Sequence, residues 1–252
     1  MTKQKCSGFK KVNNISEVKR INPDYIIIST KTSDHFKHLN YLEKNISNKI
    51  ILVEKPLYKN FKKFIVKNNK VFVGYNLRYH PVIEYIKNYI NNKKIFLVNI
   101  SCYSYLPNWR KNISYTKSNS AKKIYGGGAL LELSHEIDYL QWIFKKIIKI
   151  KHVEIGKISN LKIDIEDRVS ITGKTRLVNF FIDLNFFSLY AQRVILVHGK
   201  NFTLKGDLYS NSIEIIKKNK KKIMKYKLNK DYTYKMQHKS LLSNNFQNSC
   251  SY

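Results

Sequence analysis

The sequence has few cysteines, no long apolar run and no apolar leader, and each shortage excludes a class of protein. Three cysteines, Cys6, Cys102 and Cys250, stand far apart, with neither a CxxC pair nor a neighbour at metal-ligand spacing. We therefore expect neither a disulfide framework nor a metal site. No apolar run reaches the about 18 residues of a membrane-spanning helix, and the first residues do not resemble a signal peptide. The sequence predicts a cytoplasmic protein without a membrane partner.

Acidic residues are also scarce, and the imbalance of charge raises the question of a nucleic-acid partner. The chain of 252 residues carries 17 Asp and Glu against 47 Lys and Arg, a formal net charge of +30, and strongly basic domains often bind nucleic acid. Six of the basic residues are Arg, and the lysines are spread along the chain with many Asn and Ile. AT-rich codon usage alone would produce this mixture. We favour compositional bias and expect no nucleic-acid partner.

Few glycines and prolines interrupt the first third of the chain, where short apolar runs alternate with amphipathic segments. Short apolar runs between polar turns are typical of strands buried in a parallel sheet, and the segments between them favour crossover helices. The predicted elements are a helix over 15–21, a strand over 25–30, a helix over 35–44, a strand over 49–53, a helix over 61–68 and a strand over 71–75. This alternation predicts a parallel α/β sheet.

Polar side chains follow each of the three predicted strands, at the edge where ligands of such sheets bind. They are the segments 30–32, 54–56 and 76–80. Surface turns are often polar as well, so composition alone leaves a ligand site and ordinary loops as equal alternatives.

Beyond residue 92 the pattern changes to strand after strand. Strands are predicted over 95–105, 168–172, 177–187, 193–199, 201–208, 212–218 and 221–228. In one of them Val178, Phe180 and Ile182 alternate with Asn179 and Asp183, a period typical of antiparallel sheets with one buried face. We predict two domains, an incomplete Rossmann-like parallel sheet over 1–92 and an α+β domain over 93–252 whose mostly antiparallel sheet carries helices on one face.

A long helix is predicted to follow the glycine run 126–128 and to carry the chemistry. Glu132, His135 and Asp138 lie three residues apart, away from the apolar stripe of that helix, so their side chains could touch. An imidazole flanked by carboxylates can exchange a proton near neutral pH, and glycines let backbone approach a ligand. A solvated helix face is the main alternative, and a metal site is a weaker one.

Together these segments resemble the Gfo/Idh/MocA family of oxidoreductases, which use a nicotinamide cofactor on sugars and cyclitols. The motifs, in family order, are Asn22-Pro23-Asp24 running to Thr30-Lys31-Thr32-Ser33-Asp34-His35, then Val53-Glu54-Lys55-Pro56, then Gly74-Tyr75-Asn76-Leu77-Arg78-Tyr79-His80-Pro81, and the glycine run leading to Glu132, His135 and Asp138. The resemblance implies NAD or NADP as cofactor, a sugar or nucleotide sugar as substrate, and a homodimer or homotetramer formed through the antiparallel sheet.

The resemblance also implies roles for single residues. Lys55 would hydrogen-bond the reacting oxygen, His135 would be the general acid/base, and Glu132 would share the catalytic work. The implied cofactor-binding residues are Thr30, Thr32, His35, Glu54, Lys55, Pro56 and Asn76, and the implied substrate-binding residues are Arg78, Trp109, Arg110, Tyr115 and Asp138. Glu132 departs from the family pattern, in which many members have Asp one residue further from the histidine.

The family also begins with a strand, a glycine fingerprint and a helix that bind pyrophosphate, and this sequence shows no counterpart. Its early glycine is Gly8, and the strand over 25–30 corresponds to the family's fourth. We therefore expect a shortened chain with an exposed edge at that strand and weakened NAD(P) binding. The segment 231–252 is expected to approach a final helix that is absent. Two hypotheses follow: a sugar oxidoreductase, or an inactive relative that keeps the sugar pocket.

Overall fold

The computed structural model describes residues 14–252, so Cys6 and Gly8 lie outside the described part. The helices are α1 (Val18–Ile21), α2 (Thr32–Asn45), α3 (Pro81–Tyr89), α4 (Ala129–Glu132), α5 (His135–Phe144) and α6 (Tyr232–Leu242). The strands are β1 (Tyr25–Ile28), β2 (Ile50–Val53), β3 (Lys70–Val73), β4 (Ile95–Tyr105), β5 (Ile147–Gly156), β6 (Arg168–Thr175), β7 (Asn179–Asn185), β8 (Phe187–Gly199), β9 (Phe202–Asp207), β10 (Ser212–Lys217), β11 (Lys220–Lys225) and β12 (Cys250–Ser251). No helix within this part is both long and apolar enough to cross a bilayer.

The first three strands form the parallel sheet that the sequence predicts. The strand order is β1-β2-β3-β12, with β1, β2 and β3 parallel. Ile51 and Val71 are buried on one face together with Leu39 of α2, while Leu52 is buried on the other face with Leu241 of α6. Because side chains alternate along a strand, the continuous apolar runs supply both faces.

Two details of this sheet differ from the prediction. Within the described residues β1 lies at the edge of the sheet, where an exposed edge is expected, but Ile27 is 46% exposed, so the expectation that this strand is buried on both faces is wrong. The predicted helix over 61–68 is wrong, because this segment forms neither helix nor strand. Phe64 is partly buried while Phe61 is 92% exposed. The carboxylate of Glu43 accepts the backbone N–H groups of residues 67 and 68 at 2.6 and 2.5 Å, which holds the segment out of a helix.

The last part of the chain also differs from the expectation, because a helix does follow residue 231. Helix α6 buries Gln237 and Leu241, and Leu241 packs against Leu52 and Phe72 of the small sheet. Strand β12 then pairs antiparallel with β3. Helix α6 was not predicted because few of its residues are apolar, so no apolar stripe recurs at helical spacing. A few buried residues are enough for its packing.

The second sheet confirms the predicted mostly antiparallel domain. Its order is β11-β10-β9-β8-β4-β7-β6-β5, in which β4 and β7 are parallel and the other neighbouring pairs are antiparallel. Ile100 and Ile182 are buried on one face in the same core as Leu140 and Phe144 of α5. Strand β5 escapes prediction because it lies at the sheet edge, where Ile150 is 46% exposed and burial does not alternate.

Helix α3 connects the two sheets in sequence and packs in the larger core. Its buried residues Val82, Ile83 and Ile86 belong to the same cluster as Leu204 of β9. The expected boundary at residue 92 lies just after this helix and stays a prediction.

Candidate functional site

The carboxyl end of β2 meets the end of α4, and Lys55 makes the connection. The Lys55 Nζ donates to the Glu132 carbonyl oxygen at 2.7 Å and to Glu132 Oε2 at 3.1 Å. Both side chains are about one-fifth exposed, at 19% and 20%. Two residues that the sequence places 77 positions apart are therefore paired at one edge of the small sheet.

The lysine also explains why the predicted long helix is broken into two. In a continuous helix the Glu132 carbonyl would accept the N–H of Glu136. Here it accepts from Lys55, and the Glu136 N–H reaches the Leu133 carbonyl instead. Leu133 has φ −100° and ψ 29°, outside helical values. The prediction of one helix from the glycine run to Trp142 is wrong, and the break places His135 at the start of α5.

His135 is buried, with 8% of its surface exposed, and its Nδ1 has no hydrogen-bond partner among the described residues. The ring of Tyr75 meets it edge to face, with the ring centres 5.5 Å apart, and the Tyr75 hydroxyl donates to Ser134 Oγ at 3.4 Å. Burial lowers the pKa of His135 well below its usual value, and the positive charges of Arg193 and Lys55 lower it further. The imidazole is therefore neutral at physiological pH, and its Nδ1 is unpaired.

The predicted row of Glu132, His135 and Asp138 does not form a hydrogen-bonded unit. Glu132 binds Lys55 and accepts a 2.8 Å hydrogen bond from Ser120 Oγ. Asp138 binds Arg78 through two hydrogen bonds of 2.8 and 2.5 Å. Each carboxylate thus has a positive partner of its own, so the expectation that they raise the basicity of the imidazole is wrong. Ser120 is not among the residues predicted for the site.

The glycine run lets parts of the protein approach each other. A Cβ on Gly128, which has φ +98°, would lie 2.2 Å from Glu166 Oε1, and a Cβ on Gly127 would lie 2.4 Å from the Ser120 carbonyl oxygen. Glu166 Oε1 accepts the Leu130 N–H at 3.1 Å and so caps α4. The space beside these two glycines is filled by protein, contrary to the expectation that it admits a ligand.

A cavity of about 650 Å³ lies beside α5, on the side of the Arg78–Asp138 pair. Its lining residues are Tyr75, Arg78, Leu130, Leu131, Ser134, Ile137, Asp138, Gln141, Trp142, Lys146 and Cys250. Tyr75 belongs both to this cavity and to the surroundings of His135. Arg78 and Asp138, two of the implied substrate-binding residues, are therefore placed together at a space of ligand size.

A second buried ion pair, which sequence reasoning missed, lies close to His135. Glu136 is fully buried and accepts from Arg193 Nε at 2.8 Å and from the Tyr139 hydroxyl at 3.2 Å. Arg193 stands before the apolar run 194–197, and this is a signal that could have found the pair, because buried charges are normally matched. The pair places the Arg193 guanidinium near His135, where its positive charge opposes protonation of the imidazole.

Several implied cofactor-binding residues have partners within the protein. Both ring nitrogens of His35 face carbonyl oxygens, those of Pro56 at 3.0 Å and Thr30 at 3.1 Å, so His35 ties the end of β1 to the Lys55-Pro56 segment. The Thr30 hydroxyl contacts His38 Nδ1 at 3.1 Å. Asn76 donates to Thr233 Oγ1 at 2.8 Å.

Glu54 and Thr32 stand beside glycines. Burial raises the pKa of the Glu54 carboxyl, which lies 3.0 Å from the Cβ position of Gly74. Thr32 lies against Gly126 in the same way, at 3.1 Å. These contacts connect the strand ends to the loop before α4.

The structure does not bring Trp109, Arg110 and Tyr115 to the lysine or the imidazole. Trp109 packs edge to face on Phe186 with ring centres 5.1 Å apart, and Arg110 is exposed. The Tyr115 hydroxyl accepts the backbone N–H of Lys162 at 3.1 Å. Their contacts among the described residues place them on the loop over the larger sheet, and their substrate role stays a prediction.

Comparison with known proteins finds similarity in structure alone. No protein-family model and no curated protein matches the chain. The WlbA dehydrogenase from Bordetella pertussis, solved with NADH and UDP-GlcNAcA, is 16% identical with a TM-score of 0.71 over 94% of this chain and 74% of its own. Levoglucosan dehydrogenase, solved with NADH and levoglucosan, is 13% identical with a TM-score of 0.75 over 92% of this chain and 73% of its own.

A third similar structure is a super-repressor mutant of Gal80p from Saccharomyces cerevisiae, 15% identical with a TM-score of 0.75 over 92% of this chain and 69% of its own. The chain has the fold of Gfo/Idh/MocA-type dehydrogenases. The fold that the sequence motifs imply is thereby confirmed. At these identities the likeness concerns the fold, and the chemistry has to be argued from the residues of this chain.

Proposed function

We propose that the chain is a nicotinamide-dependent oxidoreductase that interconverts a hydroxyl and a carbonyl group of a sugar or nucleotide sugar. The observation that carries the proposal is the placement of Lys55 beside the break between α4 and α5, where the buried His135 begins the second helix with its Nδ1 unpaired. A cation and a neutral base beside one sheet edge are the groups that alcohol oxidation needs. The dehydrogenases of the same fold that were solved with NADH and a sugar support this choice.

The residues present fit the nicotinamide end of such a cofactor. Glu54, Lys55 and Pro56 follow β2, Thr30 follows β1, and the orphaned Nδ1 of His135 leaves a polar atom for a bound molecule. Between a strand and a helix, residues 14–92 offer no glycine-rich turn that would cradle pyrophosphate. We therefore expect NAD(P) binding to be weak, because backbone N–H groups normally hold the pyrophosphate.

The proposed division of labour keeps protons and electrons balanced. A bound nicotinamide nucleotide would supply the hydride for reduction or accept it in oxidation. In the oxidative direction the His135 imidazole would take the hydroxyl proton, and in reduction it would return a proton to the carbonyl oxygen. Lys55 Nζ donates a hydrogen bond to the oxygen on which negative charge develops. Glu132 and Ser120 hold the lysine in place, so Glu132 acts as a positioning residue.

Two substitutions test the proposal. Lys55→Ala and His135→Ala should each lower the rate of NAD(P)H-coupled turnover of sugars or nucleotide sugars by about 100-fold or more, while thermal unfolding shows an intact fold. Lys62→Ala, which removes an exposed lysine outside the candidate site, is the matched control and should leave the rate unchanged. Near-normal turnover in either variant of the site would contradict the assigned role.

A second candidate function, a sugar-binding relative without redox activity, also has an observation in its favour. Two of the three N–H donors of Lys55 already bind Glu132. In addition, Gal80p, solved as a super-repressor mutant, has the same fold. A titration of NADH and NADPH, followed by fluorescence, separates the two functions. Absence of saturable binding at millimolar cofactor would exclude the oxidoreductase for this chain and leave the binding function.

A further inference from the structure

A second cavity, of about 890 Å³, lies between α3 and the hairpin of β10 and β11. We call it the hairpin cavity. Its lining residues are Tyr85, Tyr89, Asn201, Ile215, Lys217, Lys218, Asn219, Lys220, Lys221 and Lys222. None of them belongs to the candidate site described above. Its volume lies within the range of small-molecule pockets, about 300 to 1,000 Å³.

One wall of the hairpin cavity is aromatic. Tyr85 and Tyr89 lie four residues apart on α3, on one side of the helix. Their rings are stacked, with centres 5.7 Å apart and planes inclined by 16°. Phe202 supports Tyr89 edge to face at 5.3 Å. Neither tyrosine is fully buried, so the wall offers a planar surface on which another ring could stack.

The hairpin side of the cavity is cationic, and the strand register shows why. Lys217 pairs with Lys220 across the hairpin, and Ile215 pairs with Lys222. Since side chains alternate along a strand, these three lysines share the face of the buried Ile215. Like charges directly opposite each other destabilise a strand pair.

The charges on this face lack compensation. Glu214, next to Ile215 and hence on the other face, forms an ion pair of 2.9 Å with Lys221. Within residues 14–252, Lys217, Lys220 and Lys222 have no carboxylate at ion-pair distance. The Lys217 Nζ lies 5.3 Å from the centre of the Tyr89 ring. The two walls are therefore adjacent.

We propose that the hairpin cavity binds a nucleoside phosphate, with its base stacked on Tyr85 and its phosphates among the three lysines. A planar ring linked to several negative charges matches both walls at once. A bare phosphate would use the lysines alone, and an uncharged aromatic compound would leave them unpaired.

The test compares UDP with inorganic pyrophosphate by isothermal titration calorimetry at physiological salt. UDP is expected to bind at least tenfold tighter than pyrophosphate, because stacking adds to the charge interaction. The triple variant Lys217→Gln, Lys220→Gln, Lys222→Gln should raise the Kd of both ligands at least tenfold. Tyr85→Leu should raise the Kd of UDP about tenfold and leave that of pyrophosphate unchanged.

The chain offers a matched control elsewhere. Lys149 and Lys174 also face each other across a strand pair, and Lys151 is exposed nearby. The triple variant Lys149→Gln, Lys151→Gln, Lys174→Gln removes the same charge from a surface that lines none of the cavities described above, and should keep the wild-type Kd within twofold. Thermal unfolding checks that all variants are folded.

Three outcomes of the calorimetry would overturn the proposal, and a fourth would come from an RNA probe. The first is the absence of saturable UDP binding. The second is UDP binding that both hairpin variants leave unchanged while Lys55→Ala abolishes it. The third is an equal loss of UDP affinity in the hairpin triple variant and the control triple variant. A single-stranded RNA of ten nucleotides serves as the last probe. The wild type could bind this RNA 100-fold tighter than UDP, with the hairpin variants losing that binding. In that case the surface is an RNA site and not a nucleotide pocket.

Discussion

At the scale of single residues, three carboxylates near His135 each form an ion pair, whereas the imidazole itself has no acidic partner. Lys55 holds Glu132, Arg78 holds Asp138, and Arg193 holds Glu136. His135 is left with positive neighbours and burial, which together lower its pKa. A pattern of three titratable residues at helical spacing predicts neighbours, but it does not say which of them another part of the chain will claim.

The pKa of His135 gives a testable dependence of stability on pH. Below about pH 6.5 the unfolded chain binds a proton at this histidine that the folded chain refuses, so protonation favours unfolding. His135→Gln removes this effect. Between about pH 7.5 and pH 5.5 the wild type should lose about 1 kcal/mol more of its free energy of unfolding than the variant does. Urea unfolding at the two pH values measures the difference.

The comparison of the two chains cancels other titrating groups. Burial also lowers the pKa of His80, but that residue is the same in both. Parallel loss of stability in wild type and variant would show that His135 titrates like a solvated histidine and is not buried.

At the scale of elements, apolar runs with turns at both ends could be predicted, whereas segments decided by a distant side chain could not. The strands over 25–30, 49–53 and 95–105 agree with β1, β2 and β4 within one or two residues. The segment 61–68 and the break between α4 and α5 were missed for the same physical reason. In both, a side chain from elsewhere, Glu43 or Lys55, takes a backbone group that a helix would use.

The glycine run before α4 gives a prediction at this scale. Gly128→Ala places a Cβ 2.2 Å from Glu166 Oε1 in a backbone with φ +98°, so the carboxylate that caps α4 must move. We expect the free energy of unfolding to fall by about 2 to 3 kcal/mol, measured by urea denaturation. Gly156→Ala is the matched control, since its Cβ would meet Ile158 at an ordinary 3.9 Å. Similar losses in both variants would contradict the steric argument.

At the scale of the whole molecule, the candidate site is a product of how the two sheets are joined. Lys55 comes from the small sheet, Glu132 and His135 from the helices on the large sheet, and Arg193 from the middle of β8. The motifs indicated which strand ends face a ligand, because parallel strands share one edge. They did not indicate Arg193, which reaches the site through pairing over 57 residues.

The open face of the large sheet leads to a prediction about assembly. Phe181 and Leu196 both pair with Asn99 of β4 and share its outer face. Val194 and Leu97 lie next to them on that face, and Leu97 and Phe181 are each 36% exposed. Since no helix among residues 14–252 is buried against this patch, we expect a second copy to cover it, with a mass of twice 29.9 kDa in light scattering after gel filtration.

Charge on this face should dissociate the dimer, because carboxylates at its centre would lose water without gaining a partner. The double variant Phe181→Glu, Leu196→Glu is therefore expected to elute as a monomer at concentrations where the wild type is dimeric. Phe61→Glu alters a residue that is 92% exposed and distant from the face, and it should leave the mass unchanged. A monomeric wild type, or a dimer that persists after the double substitution, would contradict this prediction. This face would then be open to solvent, and its apolar residues would stabilise the sheet without forming a dimer interface.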